Sequence, residues 1–368
     1  MSSKKDRFSS KDKNYMKLAI NLARSRKGLT GDNPSVGCLI VKNDTIISIG
    51  QTGYNGRPHA EHSAIKNSFE KLKRSKMYVT LEPCNHYGKT PPCTKNIIKS
   101  GISELIYSME DIDKRVKGKS FKILSSKNIK VKRGLLKEDA KDLYDSYIKN
   151  RTSKLPYVTA KIAVSKNKLI YSKGTKRITD KNSDKITHYL RYKNDSIMIS
   201  SKTLNIDNPK LTCRLKGYDK FSPKRIILDK NLDIKLKSYI FKSAKKGNTI
   251  LFYNSSNTKK IKVLKKKGLT LIKTKLNNEG LLDLKIVLKK LFTLGTRSLL
   301  VEGGDKISKS LIKNRLIDTF YLFQSPKILR VNKINQGFTS FGILNGKYKK
   351  VSKITSKLAK DNITIYKR

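Results

Sequence analysis

The sequence predicts an α/β protein of two domains, and three observations support this prediction. The chain has 368 residues, more than a single domain usually holds. Short apolar runs typical of strands alternate with helix-like stretches, a pattern that favours sheets covered by helices. The pattern restarts after Lys154-Leu155-Pro156. We therefore expect one domain over residues 1–152 and a second over residues 153–368.

In the first half, the spacing of apolar residues and the positions of turn residues predict the helices and strands. A helical stripe begins at Asn14 and ends before Gly28, and two strands, 36–41 and 46–49, flank the turn at Asn43-Asp44. The further predictions are a helix over 60–72, a strand over 77–81, a helix from 91 to 101, a strand over 104–108 and a helix over 137–150.

In the second half, strands alternating with helices favour a mainly parallel sheet with helices on both faces. Gly303-Gly304 lies between the last predicted strand and the last helix, where backbone amides can face an anion. A plain turn gives the same pattern, and the pair is not a Gly-x-Gly-x-x-Gly dinucleotide fingerprint. The predicted strands are 157–164, 196–200, 224–228, 249–253 and 298–301, and the predicted helices include 281–294 and 305–314.

The net charge of +55 is the most conspicuous feature of the composition. Most of the excess is lysine spread over the whole chain, and asparagine and isoleucine are abundant while tryptophan is absent. This pattern is typical of an AT-rich genome, whereas nucleic-acid-binding surfaces concentrate basic residues on one face. We therefore expect no specific nucleic-acid partner.

Cysteine usage and hydropathy indicate the compartment. Four cysteines in a chain of this length do not form a disulfide framework, and two of them lie close together as in a metal site of a reducing cytoplasm. No apolar run reaches the length of a membrane span, and no signal-peptide core follows the start. We expect a cytoplasmic protein without a membrane partner, and the sequence is compatible with a homo-oligomer.

A candidate metal site in the first half consists of His59, Cys84 and Cys93. One imidazole and two thiolates hold zinc and leave a fourth position for water, whose pKa the metal lowers. Glu61 can then move the proton of that water to a ring and to a leaving amine. This set predicts hydrolytic deamination of a pyrimidine-type ring. His62 is an alternative ligand, although it lies beyond the carboxylate and fits an ordinary surface histidine.

A longer sequence motif around this site identifies it more specifically. Residues 80–93 (TLEPCNHYGKTPPC), with eight residues between the two cysteines, strongly resemble the deaminase half of the bifunctional riboflavin-biosynthesis proteins. Residues 33–37 (NPSVG) and 58–61 (PHAE) support the same family. The chain departs from the family at 111–114 (DIDK), where Asp-Pro-Asn-Pro is usual, and at 118–120 (GKS), where Gly-x-Gly is usual.

By this resemblance, the first domain has a cytidine-deaminase-like α/β/α fold. It would deaminate 2,5-diamino-6-(5-phosphoribosylamino)pyrimidin-4-one, a small phosphorylated pyrimidine. His59, Cys84 and Cys93 would be zinc ligands, and Glu61 would be the proton shuttle. The substrate contacts implied for this domain are Asn33, His86 and Lys89.

The second half resembles the reductase half of the same family. Residues 203–214 (TLNIDNPKLTCR) are similar to its reductase signature, and residues 301–304 (VEGG) match its late glycine motif. The resemblance implies a dihydrofolate-reductase-like α/β fold that uses NADPH to reduce the ribosyl group of 5-amino-6-(5-phosphoribosylamino)uracil to ribityl. The implied cofactor contacts are Ala163, Thr203, Asp207, Gly304, Asp305, Lys306, Ile307, Ser308, Lys309 and Ser310, and Arg177 is a further candidate from its charge. The implied substrate contacts are Thr175, Arg191, Leu211, Arg214 and Glu302.

This half also departs from the family in two places. Residues 165–168 (SKNK) replace Ser-Leu-Asp-Gly, and Arg177, whose charge suits the extra phosphate of NADPH, replaces an aromatic residue. Arg191 and Arg214 suit a phosphate monoester, because a guanidinium can hold phosphate in two places. Two other interpretations stay open: an RNA-acting deaminase with a basic second half, and a deaminase whose second domain is a non-catalytic scaffold.

Overall fold

The computed structural model describes residues 8–171, 177–331, 336–354 and 360–368. It divides into two compact units, with the boundary between Ser153 and Lys154. Each unit is built from alternating strands and helices, which confirms the α/β class. Within the described residues, no helix is both long enough and apolar enough to cross a membrane.

The first unit begins with a capped helix that starts at Ser10, earlier than the apolar stripe from Asn14 predicted. Asp12 N–H donates to Ser9 Oγ at 3.1 Å, and Ser9 N–H donates to Asp12 Oδ2 at 2.8 Å. This capping box satisfies amides that the first turn would leave unpaired. The elements of the unit are α1 (Ser10–Arg26), β1 (Gly37–Lys42), β2 (Thr45–Gln51), α2 (Ala60–Lys66), β3 (Lys76–Leu81), α3 (Cys93–Ser100), β4 (Glu104–Met109), α4 (Lys119–Ser125), β5 (Lys130–Arg133) and α5 (Lys137–Ser153).

Five described strands of this unit form one sheet in the order β2-β1-β3-β4-β5. β1 pairs antiparallel with β2 and β3, whereas β3, β4 and β5 run parallel. The helix predicted over 60–72 is shorter than expected and ends at Lys66; Phe69, which continued the apolar spacing, does not pack in the core and is 98% exposed. The short elements α4 and β5 were not expected from the sequence.

In the second unit, the five predicted strands are observed with the same bounds, as β6, β8, β9, β10 and β12 below. Their apolar runs are buried, so the pattern identified them directly. The elements are β6 (Tyr157–Val164), β7 (Leu169–Tyr171), α6 (Lys181–Tyr192), β8 (Ser196–Ser200), α7 (Ser201–Asp207), β9 (Lys224–Leu228), α8 (Tyr239–Lys242), β10 (Thr249–Tyr253), α9 (Thr258–Lys266), β11 (Thr270–Lys273), α10 (Leu284–Thr293), β12 (Ser298–Val301), α11 (Asp305–Lys313), β13 (Thr319–Gln324), β14 (Gln336–Gly337), α12 (Phe341–Lys347), β15 (Lys349–Ile354) and β16 (Asn362–Lys367).

Nine of the strands that the structure describes here form a sheet in the order β11-β10-β9-β8-β12-β6-β13-β16-β15. The pairs from β11 to β13 are parallel, and β16 lies antiparallel between β13 and β15. Leu299 and Val301 pack into one hydrophobic core and Leu300 into another, so both faces are covered, as predicted. The antiparallel C-terminal edge formed by β15 and β16 was not predicted; the lysines of β15 obscure the strand pattern of that segment.

Candidate active sites

Three chain segments bring the predicted metal ligands together. His59 is the N-cap of α2, and Cys93 is the first residue of α3. Cys84 lies three residues beyond the end of β3, a central strand of the sheet. Two of the ligands therefore sit at helix starts, where the partial positive charge of the helix dipole favours negatively charged sulfur.

The ligand atoms of these three residues all lie within 4.8 Å of one another. His59 Nδ1 is 3.3 Å from Cys93 Sγ and 3.6 Å from Cys84 Sγ, and Cys93 N–H donates to Cys84 Sγ at 3.3 Å. His62 is exposed and its Nδ1 lies 3.3 Å from Asn96 Nδ2, as expected of a surface histidine. No other group of three such side chains in the described part of the chain is placed to hold a metal ion.

The two thiols of the site titrate as a pair. A hydrogen bond from the Cys93 thiol lowers the pKa of Cys84 to about 4, against the effect of burial and with a further contribution from His59. The same bond raises the pKa of Cys93 well above its usual range. The site therefore stabilises the thiolate of Cys84, the form of cysteine that binds metal, while Cys93 keeps the proton of the shared bond.

Glu61 occupies the first turn of α2 and is only 4% exposed. Burial raises the pKa of Glu61 to about 7, although His59 acts in the opposite direction. A carboxyl group with a pKa near neutrality can both accept and return a proton. The position and the pKa of Glu61 thus suit a general acid–base beside the metal ligands.

The residues predicted to bind the deaminase substrate lie in two loops. Asn33 Nδ2 donates to the Gly56 carbonyl at 2.8 Å, in the segment that leads to the metal motif. His86 is half-buried, and its Nδ1 has no hydrogen-bond partner among the described residues. Lys89 is exposed in the loop between the two cysteines. His86 Nδ1 is thus a buried nitrogen without a partner among the described residues, whereas the Lys89 side chain is open to solvent.

A buried carboxylate that the sequence analysis did not single out orders the neighbouring loop. Glu82 accepts backbone N–H bonds from Asp111 at 3.3 Å, Gly118 at 3.0 Å and Ser120 at 3.2 Å. Ser120 Oγ also donates to the Pro83 carbonyl at 2.6 Å. These bonds hold the loop in which the chain departs from the family pattern. The signal in the sequence was an acidic residue directly after a buried strand.

The second unit contains a cavity of about 850 Å³ at the C-terminal ends of β6, β8, β9 and β12. Open α/β sheets bind their ligands at this edge. Of the predicted cofactor residues, those that line it are Ala163, Arg177, Thr203, Asp207, Gly304, Asp305, Lys306, Ile307 and Ser310. Of the predicted substrate residues, those that line it are Arg191, Leu211 and Glu302.

Three of the predicted residues that the structure describes do not line this cavity. Ser308 is buried within α11 and Lys309 follows it, because successive helical residues point in different directions. Arg214 is exposed, and its backbone N–H donates to His188 Nδ1 at 3.2 Å. Thr175 lies outside the described residues.

The Arg191 guanidinium, expected to hold phosphate, instead forms a bidentate pair with a carboxylate. Its Nε and Nη2 donate to the two oxygens of Glu302, both at 2.8 Å, and its Nη1 donates to the Thr212 carbonyl at 3.1 Å. Burial disfavours the ionised form of Glu302, yet Arg191 outweighs it and lowers the pKa of Glu302. Of the two arginines, Arg214 is therefore the one with its guanidinium open to a phosphate.

Two further charges border the cavity. The Lys161 ammonium lies 4.8 Å from the centroid of the Phe323 ring, and burial lowers the pKa of Lys161 while Glu302 opposes this. Arg177 Nη1 pairs with Asp184 Oδ2 at 3.0 Å. Sequence reasoning missed Lys161, whose only signal was a lysine inside an apolar strand.

The glycine motif forms the turn from β12 into α11. Gly304 is the N-cap of the helix and supplies no side-chain cap. A Cβ on Gly303 would lie 3.2 Å from Ile307 Cβ, so the turn leaves little room for a side chain. Asp305 accepts bonds from Thr339 N–H at 2.9 Å and Thr339 Oγ1 at 2.6 Å. The Asp305 carboxylate therefore fixes the helix start to the loop before α12.

Comparisons with known proteins identify a family model for each half of the chain. Residues 9–109 match the cytidine and deoxycytidylate deaminase zinc-binding region, and residues 156–358 match the RibD C-terminal domain. The chain is 38% identical over 320 residues to riboflavin biosynthesis protein RibD of Aquifex aeolicus, covering 86% of this chain and 88% of that protein. It is 34% identical to RibD of Bacillus amyloliquefaciens, covering 86% of this chain and 84% of that one.

Solved structures give the same result. A diaminohydroxyphosphoribosylaminopyrimidine deaminase/5-amino-6-(5-phosphoribosylamino)uracil reductase from Thermotoga maritima matches with a TM-score of 0.82 at 30% identity, over 97% of this chain and 98% of that one. RibD from Acinetobacter baumannii matches with a TM-score of 0.83 at 26% identity, over the same shares. The family resemblance seen in the sequence is therefore confirmed. The chain belongs to the RibD family, as a bifunctional enzyme of riboflavin biosynthesis in which a deaminase domain precedes a reductase domain.

Proposed function

We propose that the first domain is a zinc-dependent deaminase of 2,5-diamino-6-(5-phosphoribosylamino)pyrimidin-4-one, and that the second reduces the deaminated product with NADPH. The observation that carries this proposal is the convergence of His59, Cys84 and Cys93 within 4.8 Å, with buried Glu61 beside them. The name of the Thermotoga maritima relative describes the same two reactions.

The donor set of the first domain fits zinc. One imidazole nitrogen and two thiolates are ligands that zinc prefers, and three protein ligands leave one position open for catalysis. Zinc bound by His59, Cys84 and Cys93 would supply a Lewis acid that makes water nucleophilic at neutral pH.

The protein's own groups move the protons and hold the substrate. Glu61 accepts a proton from the attacking water and delivers it to the ring nitrogen; it then takes the remaining proton from the new hydroxyl group on the ring carbon and delivers it to the leaving amine. Asn33 and His86 orient the ring, and Lys89 meets the substrate phosphate from the exposed loop. Ammonia and the corresponding uracil derivative are the products.

The cavity of the second domain fits a dinucleotide and a sugar phosphate. Thr203, Asp207 and the turn at Gly304 line it, and the amides at the start of α11 suit a pyrophosphate. Bound NADPH would supply the hydride for reduction of the ribosyl carbon. Lys161 and Glu302 lie in the same cavity and hold the sugar in place through their charges.

A paired assay tests both halves. The purified protein is given the diaminopyrimidine substrate with and without NADPH, and both ammonia release and NADPH oxidation are followed. We expect ammonia in both cases and oxidation above that of an Asp207→Ala/Glu302→Ala control. Ammonia without oxidation would favour the scaffold interpretation of the second domain. Deamination of RNA but not of the free nucleotide would favour the RNA-acting enzyme.

A further inference from the structure

We propose that Arg57 binds the phosphate of the deaminase substrate and makes this site selective for the nucleotide over its nucleoside. The inference rests on the proposed function, because it assigns a contact to the phosphate of the proposed substrate. Arg57 lies two residues before His59, on the opposite side of that ligand from Glu61 along the chain.

The Arg57 guanidinium packs on the turn that carries Lys89. Its Nη1 donates to Thr90 Oγ1. Its Nη2 lies 3.6 Å from the position that a Cβ on Gly88 would take. Gly88 N–H donates to the Thr90 carbonyl at 3.3 Å, which closes the turn with Lys89 at its tip. The Arg57 side chain therefore reaches the residues on both sides of Lys89.

The backbone before Arg57 is held in place from the opposite side of the loop. Asn33 Nδ2 donates to the Gly56 carbonyl at 2.8 Å, and Gly53 N–H donates to the Pro58 carbonyl at 2.9 Å. A Cβ on Gly56 would lie 2.6 Å from Asn33 Nδ2, and its φ of +89° also favours glycine. The segment that carries Arg57 is thus fixed before a ligand binds, which reduces the entropy lost on binding.

The charges of Arg57 and Lys89 are not neutralised by the protein. Across the ranges that the structure describes, neither side chain forms an ion pair with a carboxylate. Two cations at one short turn repel each other, and an anion between them removes this repulsion. The turn therefore presents two positive charges that an anionic ligand can neutralise.

A phosphate monoester is the anion that fits this site. A guanidinium offers parallel N–H groups to two phosphate oxygens, and an ammonium adds a point charge. The reacting ring must reach buried Glu61, so the rest of the substrate extends towards solvent, and residues 87–90 are exposed. In this proposal the ring meets Asn33 and His86, and the phosphate meets Lys89 and Arg57.

Steady-state deamination by the zinc-loaded full chain tests this inference with the nucleotide and with its dephosphorylated ribonucleoside. Arg57→Gln keeps a donor for Thr90 and removes the charge. We expect its KM for the nucleotide to rise roughly 10- to 100-fold, the range expected for one lost charged hydrogen bond. Its kcat and its KM for the nucleoside should stay near the wild-type values. Ribose 5-phosphate, tested as a competitive inhibitor, should lose affinity by a similar factor.

Arg74→Gln is the matched control, because Arg74 is an exposed arginine that precedes β3, at the opposite end of that strand from Cys84. It should change neither KM. Zinc content, measured by elemental analysis, shows whether each variant retains the metal motif. If Arg57→Gln loses zinc, Arg57→Lys is compared with wild type instead. This variant keeps the positive charge but loses the paired N–H groups that hold two phosphate oxygens.

Two results would overturn the inference. An equal rise in KM for nucleotide and nucleoside would show that Arg57 only supports the loop. Unchanged KM for both would show that it does not touch the phosphate. If wild type releases no ammonia from the nucleotide, the proposed function itself fails, and that outcome is visible before any variant is made.

Discussion

Tyr78 Oη donates to Asp12 Oδ1 at 2.6 Å, and this buried bond joins α1 to β3, the strand that leads into the metal motif. Asp12 also caps the start of α1 by accepting the N–H of Ser9. The rings of Tyr15 and Tyr78 lie 5.2 Å apart between their centroids, so aromatic packing supports the same junction. One carboxylate thus serves both as a helix cap and as the anchor of a catalytic strand.

Asp12→Asn should destabilise the protein in a pH-dependent way. Burial opposes ionisation of Asp12, but the bonds from Tyr78 and Ser9 outweigh it and lower its pKa. A carboxyl group with a lowered folded-state pKa stabilises the fold above its unfolded-state pKa, about 3.9, and this contribution is lost as pH falls through the folded value. We expect a loss of roughly 1–2 kcal/mol at pH 7 that shrinks below about pH 4.

Thermal unfolding across this pH range measures the effect, with Lys17→Gln as a control on the exposed face of α1. If the loss of stability in Asp12→Asn relative to wild type stays constant with pH, the ionised Asp12 carboxylate does not stabilise the fold as assigned.

Glu61→Gln should abolish deamination while it leaves the fold and the metal in place. The amide can still hydrogen-bond water but cannot carry its proton, so the rate should fall at least about 10²–10⁴-fold. Reduction of substrate that is already deaminated should continue, because the other domain performs it. Ammonia release and NADPH oxidation measure the two steps separately, and retained ammonia release would disprove the role of Glu61.

The active protein should contain about one zinc per chain, bound through His59, Cys84 and Cys93. Elemental analysis of wild type and of a Cys84→Ala/Cys93→Ala variant checks this expectation. We expect the double variant to lose both zinc and deamination, whereas Cys213→Ala, a substitution of a buried cysteine in the other unit, should keep both. Full zinc in the double variant, or active enzyme without zinc, would rule out this ligand set.

The Arg191–Glu302 pair should be more sensitive to loss of one partner than to loss of both. The side chains of Arg191 and Glu302 are only 10% and 15% exposed, so Glu302→Gln leaves a poorly solvated guanidinium without its counter-charge. This should cost roughly 3–5 kcal/mol of unfolding free energy.

Denaturant unfolding of both single variants and of Arg191→Met/Glu302→Gln forms the complete cycle. The double variant should be more stable than Glu302→Gln alone. Additive losses would show that the two side chains do not depend on each other.

The sequence by itself determined the metal motif and the central strands. His59 and Glu61 share one helix start, and Cys84 and Cys93 bracket one loop, so short-range spacing encodes the site. Five strands of the second unit, β6, β8, β9, β10 and β12, are mostly buried apolar runs, and their bounds were predicted without error. In both cases the information is local, because helix starts and strand periodicity depend on residues close along the chain.

Only the tertiary structure decided which distant side chains meet. Arg191 and Glu302 are 111 residues apart, one on α6 and the other directly after β12, so only the packing of these elements brings them together. The guanidinium expected to hold phosphate therefore holds a carboxylate. Glu82 reaches the amide of Ser120 across 38 residues for the same kind of reason. The packing of distant elements sets these contacts, and the periodic pattern of apolar residues does not reveal it.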